Sequence, residues 1–220
     1  MPDDRRSQEP LPRSLQIALN YAPAVSRSWF ASFFQLDALL GRIVATGREP
    51  MLAQLRLAWW RDELKQNVLY VKGPTPLLNH IRQVWRGAAS PLVALVDGWE
   101  CLVDDAIDDE TVSTFCAGRA EVAEALARHS DCTSVIAEVR VAAERWSLAE
   151  LVARTADPST ATRLIARVSA LPDLCRLPRA LAPFAVLDAL ARRSVRAGGK
   201  PLADGNMALI VAARAGQFGR

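Results

Sequence analysis

The stretch Leu55–Leu64, LRLAWWRDEL, places two adjacent tryptophans inside a charged sequence of helical periodicity. Leu57, Trp60 and Leu64, followed by Val68, recur at the three- and four-residue spacing that brings side chains onto one face of an α-helix. We therefore expect an amphipathic helix that buries this face in a core.

Trp59 does not belong to this stripe, because it lies beside Trp60 around the helix and extends the apolar surface to one side. Two interpretations follow: the helix is packed on two sides, or it lines a cavity that Trp59 borders. Arg56, Glu63 and Asn67 fall on another face. On these residues alone, a buried amphipathic helix flanked by solvated charges is the favoured interpretation.

The composition is that of a globular protein. The chain has 220 residues, half of them apolar, which is enough to bury a sizeable core in one domain. Residues 1–13, MPDDRRSQEPLPR, contain no apolar run and predict a disordered tail before a helical domain over residues 14–220. The apolar runs are shorter than the roughly 18 residues that cross a bilayer. We expect a cytoplasmic protein that is at most peripheral to a membrane.

The cysteines and histidines do not form a recognisable ligand pattern. Cys101, Cys116, Cys132 and Cys175 have no paired spacing, and the chain has two histidines. This distribution argues against a zinc site and against a disulfide framework, and it fits a reducing compartment.

The charge is unevenly distributed along the chain. Residues 158–220 carry ten basic and three acidic side chains, whereas residues 1–157 carry seventeen and twenty-one. A basic half is suited to anionic lipid, diphosphate or nucleic acid. Its arginines alternate with Ala and Leu at helical intervals, which favours a solvated helix face, and a Lys-rich arm is missing. We therefore expect no nucleic-acid binding.

Most segments between prolines have a period near 3.6, which predicts an all-α fold. We predict a bundle of seven or eight helices, fewer than the ten segments that have helical periodicity. The helical segments are 14–21, 26–46, 51–71, a helix that starts at Pro76, 91–103, 111–127, 133–156, 159–170, 179–196 and a short C-terminal helix. Asp157, Ser159 and Thr160 each have a side chain that can cap a helix start.

Four segments, in this order, resemble the squalene/phytoene synthase family of isoprenoid enzymes. They are FFQLDALLGRIV (33–44), REPMLAQLRLAWWRDEL (48–64), LVDGWE (95–100) and TVSTFCAGRAEVAEAL (111–126). The tandem of Trp59, Trp60 and Arg61 is the most specific match. The resemblance implies a truncated, single-domain helical bundle of the isoprenoid synthase type, and it is weaker beyond residue 126.

The family transfers prenyl groups with two aspartate-rich motifs, whose carboxylates hold the Mg²⁺ ions that bind the leaving diphosphate. Aligned with the first motif, this chain has Gly41, Arg42 and Ala45 in place of the aspartates. The resemblance therefore implies that the first metal-binding motif is lost.

The second motif is expected in the segment 133–157. That segment offers Glu138, Glu144 and Glu150 before Asp157, without the required Asp-x-x-x-Asp spacing. We therefore assign no metal ligand and no catalytic residue, and we expect no cofactor. Mg²⁺ would be needed only by an active enzyme, and whether the chain is an enzyme is left undecided.

An acidic cluster lies between two predicted helices. Asp104, Asp105 and Asp108 reproduce an Asp-Asp-x-x-Asp string, which taken alone suggests a Mg²⁺ site. The favoured interpretation is structural, because Asp108 or Asp109 can cap a helix that starts near Thr111, and acids suit the positive end of its dipole.

Arg42 has two interpretations. Its guanidinium can bind a phosphate without Mg²⁺, or it can pair with Asp37 or Asp62 and fill the former pocket. The second is favoured, because a buried cation needs a fixed partner.

The leading functional hypothesis is a binding or assembly module that has lost prenyl transfer. Family members without the aspartates include a mitochondrial factor that helps to assemble respiratory complex I, and this chain resembles a bacterial relative of that type. Its partner would be a protein, or an isoprenoid or lipid ligand, with contact at the membrane periphery. The residues expected to bind substrate or ligand are Tyr21, Arg42, Trp59, Trp60, Arg61 and Asp62.

Two alternatives stay open. In the first, the chain is an active prenyltransferase that condenses prenyl diphosphates and uses Asp104 and Asp108 as a substitute motif, which requires both to line the central cavity. In the second, it is an isoprenoid- or lipid-binding protein with a residual cavity beside Trp59, Trp60 and Tyr21.

Overall fold

A computed structural model describes residues 10–46, 49–66, 73–104 and 107–219. Within these ranges the chain forms ten α-helices and no strand, which confirms the all-α fold and corrects the predicted seven or eight helices. The helices are α1 (Arg13–Asn20), α2 (Arg27–Thr46), α3 (Pro50–Lys65), α4 (Pro76–Trp85), α5 (Ser90–Glu100), α6 (Asp109–His129), α7 (Ile136–Arg154), α8 (Pro158–Ala170), α9 (Ala182–Arg196) and α10 (Met207–Phe218).

Several predictions at the ends of segments fall outside the described residues. Of the predicted tail, residues 1–9 lie outside the described residues. Helix α1 begins at Arg13, the last residue of that tail. Asn67 and Val68, predicted within the tryptophan helix, also lie outside it. The division into a tail and one helical domain therefore stays a prediction.

Two helix starts have the caps that the sequence predicts. The Asp157 carboxylate accepts hydrogen bonds from the backbone N–H groups of Ser159 and Thr160 at 3.3 and 2.9 Å. Hydrogen bonds from the two hydroxyls and these N–H groups hold the pKa of Asp157 well below its ordinary value. Asp108 accepts from the Thr111 N–H at 2.8 Å, which confirms its predicted role as the cap of α6.

The chain divides into two compact units, and α6 runs from one into the other. The first unit comprises Arg27–Val122 with residues 10–12, and the second comprises Arg13–Ser26 and the described residues from Ala123 onward.

Helix α2 lies at the centre of the first unit and packs against α3, α4 and α5. Its buried side is rich in aromatic rings, including Phe30, Phe33 and Phe34. The Trp85 indole N–H of α4 donates to the Ser32 hydroxyl at 2.9 Å, so the one polar atom of that ring is satisfied where it is buried.

The tryptophan helix, α3, buries the predicted stripe. Leu57, Trp60 and Leu64 are all buried, which confirms this part of the prediction. Trp59 is half-buried and meets the Trp60 ring edge-on, with 5.1 Å between the ring centroids. Glu63, on the polar face of α3, forms an ion pair with Arg82 of α4 at 2.8 Å. This face therefore also contributes to the contact between α3 and α4.

Helices α5 and α6 approach closely at two glycines. A Cβ atom on Gly118 would lie 2.5 Å from the Ala94 carbonyl oxygen, and one on Gly98 would lie 3.3 Å from the Phe115 Cα. The absence of a side chain at these positions lets the two backbones come into contact.

Helix α9 is the centre of the second unit. It packs against α1, α7 and α10, and α8 packs on α7. Its buried side chains include Phe184, Leu187 and Leu190, which explains why this segment is apolar along most of its length. Among the helices in the described part of the chain, none is long and apolar enough to cross a membrane.

The contact at Gly118 gives a test of the packing of α5 against α6. A Gly→Ala change inside a helix normally stabilises it by roughly 1 kcal/mol. We expect Gly118→Ala to destabilise the protein instead, by about 1–3 kcal/mol in urea unfolding, because the new methyl group meets a backbone carbonyl that cannot rotate away.

The exposed neighbour provides a matched control. Ala117→Gly changes helix propensity without altering a buried contact, so it should cost about 1 kcal/mol. A Gly118→Ala protein more stable than the parent would contradict the described approach of the two helices.

Candidate functional site

A fully buried ion pair connects α2 and α6 inside the first unit. The Arg119 Nε and Nη2 atoms donate to the two carboxylate oxygens of Asp37 at 2.9 and 2.8 Å. The side chains are 0% and 2% exposed. Because both oxygens are engaged by one planar guanidinium, the pair has the bidentate geometry that best offsets the cost of burying charge.

Two aromatic rings complete the surroundings of this pair. The Trp99 indole N–H of α5 donates to Asp37 Oδ1 at 2.9 Å. The Arg119 guanidinium carbon lies 5.2 Å from the Trp99 ring centroid and 4.6 Å from that of Phe115. The rings cover the cation with their electron-rich faces while they exclude water. We call Asp37, Trp99, Phe115 and Arg119 the buried cluster.

Gly41, which the resemblance aligns with an aspartate of the family's first motif, lies directly against this cluster. A Cβ atom on Gly41 would be 2.9 Å from the Trp99 ring. A carboxylate there would therefore collide with an indole that is fixed by its hydrogen bond to Asp37. The interior at this position is filled by Trp99.

Arg61, the third residue of the tryptophan tandem, joins α3 to α5. Its Nε atom lies 2.6 Å from Asp97 Oδ1, and a second guanidinium nitrogen pairs with Glu100. The LVDGWE segment therefore has two roles. Its two acids bind Arg61, and Trp99, which lies between them in the sequence, belongs to the buried cluster. The tandem and this segment, both quoted for the family resemblance, are in contact.

The other predicted binding residues have different surroundings. Trp60 is buried, Trp59 and Arg42 are half-buried, and Asp62 is exposed. The pairing of Arg42 with Asp37 or Asp62 stays a prediction, and the cation that holds both oxygens of Asp37 is Arg119.

Tyr21 belongs to the second unit. Its ring lies against Gly216 of α10, where any side chain would collide with it. It borders a cleft of about 470 Å³ together with Asn20, Arg179 and Gln217.

The second unit contains a buried ion pair of its own. Arg145 of α7 pairs with Asp188 of α9 and also donates to the Pro172 carbonyl at 2.5 Å. Arg145 lies in the segment where the second aspartate motif was expected. In the same helix, Glu144 is paired with Arg167 of α8 at 2.9 Å, so this carboxylate serves helix packing.

The acids considered as a substitute motif lie at the surface where the structure describes them. Asp104 and Asp108 are exposed, and Asp105 lies outside the described residues. Among the residues that the structure describes, no three His, Cys, Asp or Glu side chains are grouped to hold a metal ion. The residues at the expected Mg²⁺ positions therefore do not fit a diphosphate-bound metal cluster.

The thiol of Cys101 does not have the pKa of an activated nucleophile. Burial raises the pKa of Cys101, at the end of α5, to about 11. The thiol is therefore protonated at neutral pH, whereas nucleophilic cysteines have a lowered pKa.

Compared with models of known protein families, with curated proteins and with solved structures, the chain gives no match.

The sequence reasoning missed the buried cluster, although a signal was present. Asp37 follows Phe33 by four residues, and Arg119 follows Phe115 by four, so each charge lies on the apolar side of its helix. Two opposite charges that each interrupt an apolar stripe predict a buried pair, because neither is stable there alone.

Substitutions test whether the pair is buried as described. We expect Asp37→Leu and Arg119→Met each to destabilise the protein by about 3–5 kcal/mol, since each leaves an uncompensated charge in the interior. The double variant should lose no more than either single one, because it leaves no unpaired charge.

The exposed pair Arg128–Glu124, with 62% of the Arg128 side chain accessible, is the matched control. Arg128→Met should change stability by less than about 1 kcal/mol. Additive losses at Asp37 and Arg119 in equilibrium unfolding would show that the two residues do not interact.

Proposed function

We propose that this chain has the scaffold of the squalene/phytoene synthase family, does not transfer prenyl groups, and acts as a binding or assembly module for a protein partner. The contact between Gly41 and Trp99 carries this proposal. A Mg²⁺ site of the family type needs an aspartate where the Trp99 ring leaves no room for a side chain.

The charge inside the first unit supports the same proposal. Prenyl transfer needs several carboxylates facing one space, so that Mg²⁺ ions can neutralise a departing diphosphate. Asp37 is the acid on the buried side of α2, and both of its oxygens are bound by Arg119. The charge of Asp37 is therefore already neutralised. If a metal ion replaced Arg119 at this carboxylate, the Arg119 cation would stay buried without a countercharge.

The outer face of α3 offers a surface for a protein partner. Met51, Leu52 and Leu55 are exposed, although they lie on the helix whose other face is buried in the unit. Exposed large apolar residues that are grouped on one helix are typical of interaction surfaces. Such a role resembles that of the complex I assembly factor within the same family.

The active-enzyme alternative is less well supported. It needs Asp104 and Asp108 to line a cavity, and both side chains are exposed. Asp108 is moreover engaged as the cap of α6.

Calorimetric titration with farnesyl diphosphate and Mg²⁺ tests the proposal. We expect no Mg²⁺-dependent heat, because the chain does not present the paired carboxylates that hold the metal. Clear Mg²⁺-dependent binding would contradict the proposal.

Two variants would then identify the responsible acids. If Asp104→Asn with Asp108→Asn abolishes such binding and Glu110→Gln, an exposed acid of the same region, does not, the active-enzyme alternative is correct.

A further inference from the structure

The first turns of α10 expose large apolar side chains. Met207, Leu209 and Ile210 are 56%, 47% and 61% exposed. The opposite side of the helix is buried through the small residues Ala208, Ala212 and Ala215. Helix α10 is therefore held in the second unit by its small residues and directs its large ones outward.

A basic groove lies beside these apolar residues. Its volume is about 730 Å³, and its lining includes Arg193 and Arg196 of α9 and Met207, Val211 and Arg214 of α10. The groove is thus bordered by both charged and apolar side chains of the same two helices.

The groove holds four arginines, Arg192, Arg193, Arg196 and Arg214, against two acids, Asp173 and Asp188. Within the described part of the chain, Arg193, Arg196 and Arg214 make no ion pair. Their neighbour Arg192 differs, because it pairs with Asp173 at 2.6 Å and with Asp188 at 2.8 Å. The acids of the groove are therefore engaged by Arg192, and the remaining guanidinium groups leave an excess of positive charge.

The apolar and basic groups share one face. Met207, Ile210 and Arg214 are separated by three and four residues, so they follow one another along the same side of α10. Apolar side chains that project from a helix beside several arginines are the combination that inserts at the boundary between headgroups and acyl chains.

We propose that this face of the second unit, formed by α10 and the groove arginines, docks on an anionic phospholipid bilayer. Met207 and Ile210 enter the interface, while the guanidinium groups bind lipid phosphates. Charge complementarity selects this occupant. A nucleic acid would also meet the arginines, but it would leave the projecting aliphatic side chains without a partner.

Vesicle co-sedimentation with the full chain tests the proposal. We expect binding to phosphatidylcholine vesicles in which about a third of the lipid is phosphatidylglycerol, and much weaker binding to phosphatidylcholine alone. Binding should decrease as salt rises from about 0.1 to 1 M, because the screening length falls from about 10 to 3 Å.

Substitution of the arginines measures the electrostatic contribution. Each basic residue near an anionic surface contributes about fivefold in partitioning, so Arg193→Gln, Arg196→Gln and Arg214→Gln together should weaken binding on the order of a hundredfold. The control replaces two arginines outside the groove, Arg56→Gln with Arg86→Gln, and should weaken binding far less than the roughly thirtyfold expected for two groove arginines.

Substitution of the apolar residues tests insertion. Met207→Ser with Ile210→Ser should weaken vesicle binding at least about tenfold, since the membrane affinity of such a helix depends on its buried apolar area. Met51→Ser with Leu55→Ser, which removes exposed apolar residues of α3 in the other unit, should leave vesicle binding unchanged. Circular dichroism checks that every variant is folded.

Three results would overturn the proposal. One is equal binding to neutral and anionic vesicles, and another is vesicle binding that the groove variants do not alter. The third is binding of inorganic phosphate or of an RNA oligonucleotide by a protein that does not bind anionic vesicles. A failure here leaves the proposed assembly role untouched, because that role rests on the interior of the first unit and on the exposed face of α3.

Discussion

The ion pair between Asp37 and Arg119 is the constraint on which the interior of the first unit depends. Two opposite charges are stable there because the guanidinium satisfies both carboxylate oxygens and the rings of Trp99 and Phe115 cover the cation. The pair fixes α2 against α6, and the hydrogen bond from Trp99 adds α5. Gly41 and Gly118 follow from this arrangement, since the first makes room for the indole and the second lets α5 and α6 touch.

The second unit follows the same physical rule with different residues. Arg145 of α7 is paired with Asp188 of α9 in a buried position. In both units, a buried carboxylate is neutralised by an arginine of another helix. An enzyme that binds diphosphate through Mg²⁺ needs the opposite arrangement, in which carboxylates repel one another until cations arrive. This difference in charge is the physical reason for proposing a scaffold role.

The sequence predicted the fold better than the site. Helical periodicity located the helices, and Leu57, Trp60 and Leu64 were correctly assigned to the buried face of α3 because the 3.6-residue period is a local property. The caps at Asp108 and Asp157 were also recognised, since a cap depends on neighbouring residues. The pairing of Asp37 with Arg119 was missed because 82 residues separate the partners. Local sequence patterns do not indicate which distant helix supplies the countercharge. Arg42, only five residues from Asp37, was therefore considered as its partner.

Hydrogen exchange of the Trp99 indole N–H, followed by NMR, tests the central claim most directly. A proton that is buried and bonded to Asp37 should exchange only when the unit unfolds. Its signal should stay unchanged when Mg²⁺ and farnesyl diphosphate are added. Rapid exchange, or a shift of that signal on addition of the two, would show that the interior is open to solvent or ligand and would contradict this account.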